Sequence, residues 1–245
     1  MHLQFVGCGD AFGSGGRFNT CFHLVGKNTN ALIDCGATSL VAMNKFGIER
    51  NAIETIFISH FHADHIFGLP FFILEANYVS KRTQPLTIVG PPGLKTRLPE
   101  VMECGFPGTR AMELNFALTL RELDIGKTNQ VGHVGVTPFH VRHDDRAGPC
   151  LGFRFEVEDK VIAFSGDTEW TEALIEIGRE ADLFICEAYT RDKPITTHLA
   201  LAMLEQHLGH IKPKRLVLTH MSDDMLKHRT EVPYQAAEDG MIVEL

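Results

Sequence analysis

The chain has 245 residues, 44% of them hydrophobic, and a formal net charge of −8 at pH 7. This length allows one large domain or two small ones, and the hydrophobic fraction is ample for a buried core. The acidic charge argues against an extended nucleic-acid-binding surface, which would need a basic face. No window approaches the ~20 continuous apolar residues of a membrane span. Because no stretch has the composition of a linker, we expect a single domain over residues 1–245.

Two features bear on the compartment. The first residues have no basic start and no long apolar core, so they are interpreted as a strand and not as a signal peptide. The cysteines contain no C-x-x-C pair, and we expect buried free thiols and not a disulfide framework, which is uncommon in a cytosolic chain of this size. They are Cys8, Cys21, Cys35, Cys104, Cys150 and Cys186. The expected location is the cytoplasm.

The chain opens with two predicted strands, His2–Gly7 and Phe18–Gly26, joined by a glycine-rich loop over residues 9–16. Four glycines predict a mobile or tightly turned loop. A phosphate-cradling loop is disfavoured, because no helix signal follows the glycines and the Walker lysine is missing.

A third strand follows over residues 30–36 and carries Asp34 near its end. Asp34 is either a simple turn residue or an acceptor that orients a metal-binding imidazole, and the sequence favours neither. Thr38 or Ser39 then caps a helix that runs to Phe46.

A histidine-rich loop follows the apolar strand predicted at Thr55–Ile58. It contains three imidazoles and a carboxylate within six residues: His60, His62, Asp64 and His65. Imidazole and carboxylate ligands suit zinc, and also iron or manganese, better than calcium. Some clustering is expected by chance with 13 histidines in the chain, but nothing structural requires H-x-H-x-D-H after a buried strand. The loop therefore predicts a metal site, with room for two ions.

The remaining elements are predicted from hydrophobic periodicity and turn residues. The predicted helices are Ile66–Ser80, Leu94–Cys104, Glu169–Ile177 and Leu199–Leu208, the last stopped by Gly209. The predicted strands are Pro85–Val89, Phe116–Leu123, Val131–His140, Cys150–Val157, Val161–Phe164, Asp182–Glu187, Arg215–Thr219 and Gly240–Leu245. Strands with few helices, then helices, and then the same pattern again indicate two sheets packed face to face with helices outside.

Three further metal-ligand candidates lie at the carboxyl ends of apolar runs: His143, Asp167 and His220. His140 lies three residues before His143, so on a regular strand the two side chains point to opposite faces. Only one of them can be a ligand, and we favour His143 because it ends the run.

The loop H-x-H-x-D-H followed by a later His, Asp and His resembles the dinuclear site of the metallo-β-lactamase superfamily, in the same order. The resemblance implies an α+β fold, a four-layer αββα sandwich, and two divalent metal ions, zinc first with manganese or iron as alternatives. By the same resemblance His60, His62 and His143 would hold one ion and Asp64, His65 and His220 the other. Asp167 would bridge both.

Two later motifs are similar to the RNase Z-like (ElaC-type) branch of this superfamily: Glu187-Ala188, and His198 after Thr197. The similarity implies that Glu187 orients His198 as an acid–base partner, so Asp64, His198 and Glu187 are the predicted catalytic residues. An alkoxide leaving group needs a proton, which a carboxylate-held imidazolium can give. The alternative is a glutamate and a histidine that do not touch.

One departure separates this chain from RNase Z, which carries a Gly/Pro-rich tRNA-binding arm between the third metal motif and the bridging aspartate. Here only 24 residues separate His143 from Asp167, so the arm is absent. We therefore expect a metal-dependent phosphodiesterase that acts on a small or short single-stranded phosphodiester through a metal-activated water. The alternatives are a small-ester, lactone or thioester hydrolase on the same metals, and a non-catalytic metal-binding regulatory protein. A homodimer is left open, and no membrane partner is expected.

Overall fold

The computed structural model describes residues 1–245 and contains fourteen strands and seven helices besides short 3-10 turns. The strands are β1 His2–Gly7, β2 Cys21–Val25, β3 Asn30–Ile33, β4 Thr55–Phe57, β5 Leu86–Gly90, β6 Leu118–Glu122, β7 Asn129–Val131, β8 Val134–His140, β9 Leu151–Val157, β10 Lys160–Phe164, β11 Leu183–Glu187, β12 Leu216–Thr219, β13 Gln235–Ala236 and β14 Ile242–Glu244. The helices are α1 Ser39–Phe46, α2 Ala63–Ile66, α3 Gly68–Tyr78, α4 Leu94–Gly105, α5 Ala173–Gly178, α6 Leu201–Ile211 and α7 Asp223–His228.

The strands form two seven-stranded sheets with the same internal pattern. The first has the order β14-β1-β2-β3-β4-β5-β6 and the second β13-β12-β11-β10-β9-β8-β7. In each sheet three antiparallel pairs are followed by three parallel pairs, β3 to β6 in the first and β10 to β13 in the second. The carboxyl ends of parallel strands meet at one sheet edge, which is where residues after β3, β4, β10 and β12 are brought together.

Three separate hydrophobic clusters define the layers. One lies between the two sheets, one between the first sheet and α1, α3 and α4, and one between the second sheet and α5, α6 and α7. Strand β11 shows how the sequence builds two of these at once, because side chains alternate across a strand. Leu183 and Ile185 face the other sheet, whereas Phe184 and Cys186 face the helices. The predicted four-layer αββα sandwich is confirmed.

Several predicted boundaries are wrong. The helix predicted over 66–80 is α3, which runs only from Gly68 to Tyr78, and the strand predicted over 131–140 is β8, which begins at Val134. The helix predicted from Glu169 begins only at Ala173. Gly209 does not stop α6, which continues to Ile211 and ends where Lys212 adopts a left-handed φ of 51°. Helix α7 and strand β13 were not predicted at all.

Five of the cysteines are buried free thiols as predicted, but Cys104 is exposed near the end of α4. The prediction is wrong there because Cys104 falls on the solvent face of an amphipathic helix whose buried side is carried by Leu94, Leu98 and Met102. No helix is long and apolar enough to serve as a membrane span.

Candidate metal centre

The histidine-rich loop begins directly after β4, where the chain leaves the first sheet and turns into α2. Gly36 allows the turn to pack closely, because a Cβ on that residue would lie 2.0 Å from the backbone oxygen of Asp64. Cys35 donates its backbone N–H to the carbonyl of His65 at 2.8 Å, which ties the loop to the end of β3. The ligand candidates of the loop are thus held by backbone contacts to a neighbouring strand.

Three imidazoles form the first group: His60, His62 and His143. The Nδ1 atom of His62 lies 3.1 Å from Nε2 of His60 and 3.0 Å from Nε2 of His143. His62 therefore points Nδ1 inward, and its outer Nε2 lies 3.7 Å from Oδ2 of Asp144. His140, by contrast, is the exposed last residue of β8 and belongs to no such group.

The second group combines two carboxylates and two imidazoles: Asp64, His65, Asp167 and His220. Oδ2 of Asp167 lies 3.1 Å from Nε2 of His65 and 3.2 Å from Nε2 of His220. The same oxygen lies 3.9 Å from Nε2 of His60 and of His143 in the first group. One carboxylate oxygen thus stands between the two groups. Asp167 follows β10 and comes directly after Gly166. The φ of Gly166 is 62° and its Cα lies close to the Leu151 carbonyl, so only glycine suits that position.

The histidines are oriented through their outer nitrogens. Nδ1 of His65 lies 2.7 Å from Oδ2 of the fully buried Asp34, and Ser59 donates both its N–H and its hydroxyl to the same carboxylate. Nδ1 of His143 donates to the Thr197 carbonyl at 2.7 Å. Such outer partners fix the tautomer of an imidazole and leave the inner nitrogen free to bind a metal. Asp34 is therefore an orienting residue and not a plain turn.

Three residues of the centre have an unfavourable backbone conformation. Asp34, Thr197 and His220 all have positive φ values, of 59°, 73° and 55°. Positive φ is disfavoured for residues with a Cβ, most of all for a β-branched threonine. Strain of this kind persists where the surroundings over-determine it, and it clusters at functional sites.

His198 and Glu187 do touch. Oε2 of the fully buried Glu187 lies 2.9 Å from Nδ1 of His198, and its other oxygen accepts the backbone N–H of Thr168. The Tyr189 ring stacks on the His198 ring with centroids 4.4 Å apart. His198 also forms a third candidate ligand group with His143 and Asp167. Its imidazole therefore lies near one residue of the first group and one of the second.

The electrostatics suit metal ligands and a proton donor. Burial lowers the pKa of His60 well below its usual range, which keeps that imidazole neutral. Burial alone would raise the pKa of Asp167, but the imidazoles of His220 and His65 outweigh it and hold the carboxyl pKa well below its usual range. For His198, burial lowers the pKa, but the Glu187 carboxylate outweighs it and raises the pKa to about 9.

The donor set fits a divalent transition-metal ion. Zinc–nitrogen bonds of about 2.0–2.1 Å in a tetrahedral arrangement place neighbouring nitrogens roughly 3.3 Å apart. The 3.0 and 3.1 Å separations from Nδ1 of His62 approach that value. Bare ring nitrogens turned toward one another repel unless a cation or a proton lies between them.

Three contributors to the centre were not found from the sequence. Ser59 bridges Asp34 and His60, the Thr197 carbonyl holds His143, and Asp144 faces His62. Ser59 and Asp144 each stand beside a predicted ligand, a signal that could have identified them. A backbone carbonyl contributed from 54 residues away leaves no signal in the sequence.

The fold and this His/Asp cluster define a metal-dependent hydrolase of the metallo-β-lactamase superfamily. Comparison with known proteins narrows the class. Residues 1–240 match the family described as anti-Pycsar protein Apyc1. A ribonuclease Z of Agathobacter rectalis is 36% identical over 271 aligned positions, which cover 89% of this chain and 86% of the relative. The chain therefore belongs to the Apyc1 family, on the RNase Z-like branch of the superfamily, and is a metal-dependent hydrolase of the phosphodiesterase type.

Solved structures agree with this placement. The crystal structure of human tRNase Z, short form (ELAC1), matches with a TM-score of 0.80 and 26% identity, covering 100% of this chain and 99% of that one. A diphosphatase of the PhnP family matches with a TM-score of 0.79 and 20% identity, covering 100% and 97%, and supports the fold. The alignment with the Agathobacter ribonuclease Z is longer than this 245-residue chain, so that relative carries segments that this chain lacks.

Proposed function

We propose that this chain binds two divalent metal ions and uses them to hydrolyse small phosphodiesters. The observation that carries the proposal is the position of Asp167, whose Oδ2 stands between the two ligand groups, with the His198–Glu187 pair beside it. Zinc is the first choice of metal, because neutral imidazoles and carboxylates suit it.

Seven residues would hold the ions. His60, His62 and His143 would bind one, Asp64, His65 and His220 the other, and Asp167 both. When bound, divalent ions supply Lewis acidity that activates water and neutralises charge on the phosphate. Asp64 is also counted among the catalytic residues, since its carboxylate lies at the face of the cavity that the substrate would enter.

His198 would act as the general acid. Glu187 holds Nδ1 of the ring, which leaves the proton on Nε2 for the substrate. As water adds to phosphorus, the bond from phosphorus to the leaving oxygen breaks and that oxygen takes the Nε2 proton. The proton lost by the water returns to His198 through solvent, so the ring is recharged and the products are an alcohol and a phosphomonoester. The Glu187 carboxylate raises the pKa of His198 and so favours the charged, proton-donating form of the ring.

The size of the substrate is inferred from three features. Strands β9 and β10 pair directly as a hairpin, with Val157 opposite Lys160, so no tRNA-binding arm emerges between His143 and Asp167. The cavity over the metal groups is about 220 Å³ and is rimmed by Phe12 and Arg146. A compact phosphodiester fits this space, and the net charge of −8 disfavours a polyanionic partner.

The whole chain is proposed to act as one domain, because the ligand groups draw on both sheets. All six cysteines are free thiols, which supports the cytoplasmic location expected from the sequence. The mass of the metal-loaded protein in solution tests whether the active unit is a homodimer.

The test compares five substrates with and without added zinc or manganese: bis-p-nitrophenyl phosphate, a 3′,5′-cyclic nucleotide, a lactone, a thioester and a precursor tRNA. We expect metal-dependent turnover of the two small phosphodiesters. Turnover of only the lactone or thioester, or of only the precursor tRNA, would overturn the proposal, as would a metal content that stays below one ion per chain after reconstitution.

A further inference from the structure

Tyr189 lies just beyond the end of β11, on the segment that carries the chain to the metal centre. Its backbone N–H donates to the Leu199 carbonyl at 2.8 Å, and its own carbonyl accepts the Ser222 N–H at 3.1 Å. The segment is therefore held between the chain that follows His198 and the chain that follows His220. The reaction proposed above has given the Tyr189 side chain no role.

Tyr189 and Glu187 approach the same imidazole. Side chains alternate along an extended segment, so these two point to one side and Ala188 to the other, where it packs with the helices. Oε2 of Glu187 lies 2.9 Å from Nδ1 of His198, at the edge of the ring. The Tyr189 ring covers the face of the same imidazole, with centroids 4.4 Å apart and planes 18° apart. Two residues of one strand end thus hold the edge and the face of His198.

The carboxylate alone does not fix the plane of the His198 ring. A single hydrogen bond at Nδ1 leaves the tilt of the ring open, because χ2 of histidine is a broad torsion. The Tyr189 ring closes this freedom, since an imidazole turned edge-on needs more room than the stacked one. The edge-on aromatic pairs of this chain have centroids 4.8 Å or more apart, against 4.4 Å here.

The contact of Tyr189 with the metal-ligand candidates is looser. Its ring lies 6.1 Å from the His220 ring at an angle of 37°, and Tyr189 belongs to none of the three ligand groups. The side chain is only half-buried and lines the cavity over the metal groups. Removing the ring should therefore open space to solvent at the cavity wall and leave the ligands in place.

From this geometry we propose that Tyr189 is the positioning residue of the general acid: its ring fixes the plane of the His198 imidazole and aims Nε2 at the leaving oxygen. The proposal rests on the general-acid role proposed above for His198. A misplacement of about 1 Å at a reacting group can cost on the order of 10²-fold in rate. The order of the His198 ring therefore matters to the reaction along with its proton.

The first test needs no turnover. Histidine ring ¹³C–¹H spectra are recorded on the zinc-loaded full-length protein, and the His198 signal is assigned by its absence from His198→Ala. A stacked tyrosine ring shields the ring protons of His198, so Tyr189→Leu should shift that signal downfield and raise the mobility of the ring in relaxation measurements. Tyr189→Phe should keep both the shielding and the order. If Tyr189→Leu does not fold, Tyr189→Met takes its place.

The second test separates the acid from the metal chemistry. With a 3′,5′-cyclic nucleotide, whose leaving group is an alkoxide, Tyr189→Leu should lower kcat about tenfold or more and leave KM nearly unchanged. With bis-p-nitrophenyl phosphate the loss should be much smaller, because its leaving group needs no proton. Tyr189→Phe should recover most of the lost rate, and two ions per chain should remain in both variants. The matched control is Tyr234→Leu, which removes a half-buried tyrosine that packs behind the second sheet.

A double variant shows whether Tyr189 acts through His198. Adding Tyr189→Leu to His198→Ala should cost no further rate on the cyclic nucleotide, because no acid remains to be positioned. Independent roles would instead give losses that multiply.

The outcomes decide the proposal in either direction. It is overturned if the His198 ring stays equally ordered in Tyr189→Leu, if both substrates slow equally, or if the losses multiply in the double variant. It is also overturned if Tyr189→Phe behaves as Tyr189→Leu does, because the hydroxyl and not the ring would then be the acting group. If the unaltered protein hydrolyses no phosphodiester, the proposed function fails, and the spectra still decide whether Tyr189 orders His198.

Discussion

Asp34 should control metal binding through the tautomer of His65. Its carboxylate accepts three hydrogen bonds: one oxygen takes the Ser59 N–H at 2.7 Å, and the other takes the Ser59 hydroxyl at 2.8 Å and His65 Nδ1 at 2.7 Å. In Asp34→Asn the amide oxygen must stay on the Ser59 N–H, because a backbone N–H cannot become an acceptor. The amide NH₂ then faces His65 Nδ1, which must give up its proton.

The consequence is a proton on Nε2 of His65, the nitrogen that faces Asp64 and Asp167. A protonated Nε2 cannot bind a metal ion. Loss of an outer partner typically lowers metal affinity about 10–100-fold, or ~1.4–2.7 kcal/mol. We expect the upper end of that range here, because the substitution selects the wrong tautomer instead of merely removing a contact.

The assay is competition for zinc against a chromophoric chelator, with the tautomer read from histidine ring ¹⁵N shifts. The matched control is Asp182→Asn, another strand-end aspartate that accepts a backbone N–H and a side-chain donor, Lys214, away from the centre. Asp182→Asn should bind zinc normally. Wild-type zinc affinity in Asp34→Asn, or a proton still on Nδ1, would refute the tautomer argument.

Three further predictions concern the bridge, the core and the acid. Asp167→Ala should lose activity and at least one metal ion, whereas His140→Ala should keep both ions, as metal analysis will show; a fully metallated, active Asp167→Ala protein would contradict the assignment. Phe57→Ala should lower the free energy of unfolding by about 3–5 kcal/mol in urea titrations, because Phe57 is fully buried between the sheets against Phe155; a loss below about 1 kcal/mol would be inconsistent with that packing. The rate of hydrolysis of an alkyl phosphodiester should fall as pH rises through the pKa of His198, because the ring then loses the proton it donates. That pKa is at or below about 9, since bound cations oppose the charge of the ring. An unchanged pH profile in His198→Ala would show that another group titrates.

The seven ligand candidates could be identified from the sequence for a physical reason. Each stands in or just after a loop at the carboxyl end of an apolar strand, and parallel strands bring those ends to one edge. The histidine-rich loop is also local, so its spacing alone suggests a metal. His143 was favoured over His140 because it ends the apolar run, and the structure places His143 in the loop after β8 and leaves His140 exposed.

Other features depend on tertiary contacts that no local pattern carries. The Thr197 carbonyl becomes a partner of His143 only because residue 197 adopts a φ of 73° in the folded chain. Gly209 continues α6 because the helix packs through Leu204 and Ile211, and that packing outweighs the poor helix propensity of one glycine.

The most direct test of the account is the leaving-group dependence of His198→Ala at saturating zinc. For a 3′,5′-cyclic nucleotide, whose leaving group is an alkoxide, kcat should fall about 10²–10⁴-fold, the usual worth of general acid assistance. For bis-p-nitrophenyl phosphate kcat should change little, because p-nitrophenolate departs without a proton, and the protein should still hold two ions per chain. Equal losses on both substrates, or loss of metal from the variant, would contradict the account and make His198 a binding residue or a ligand.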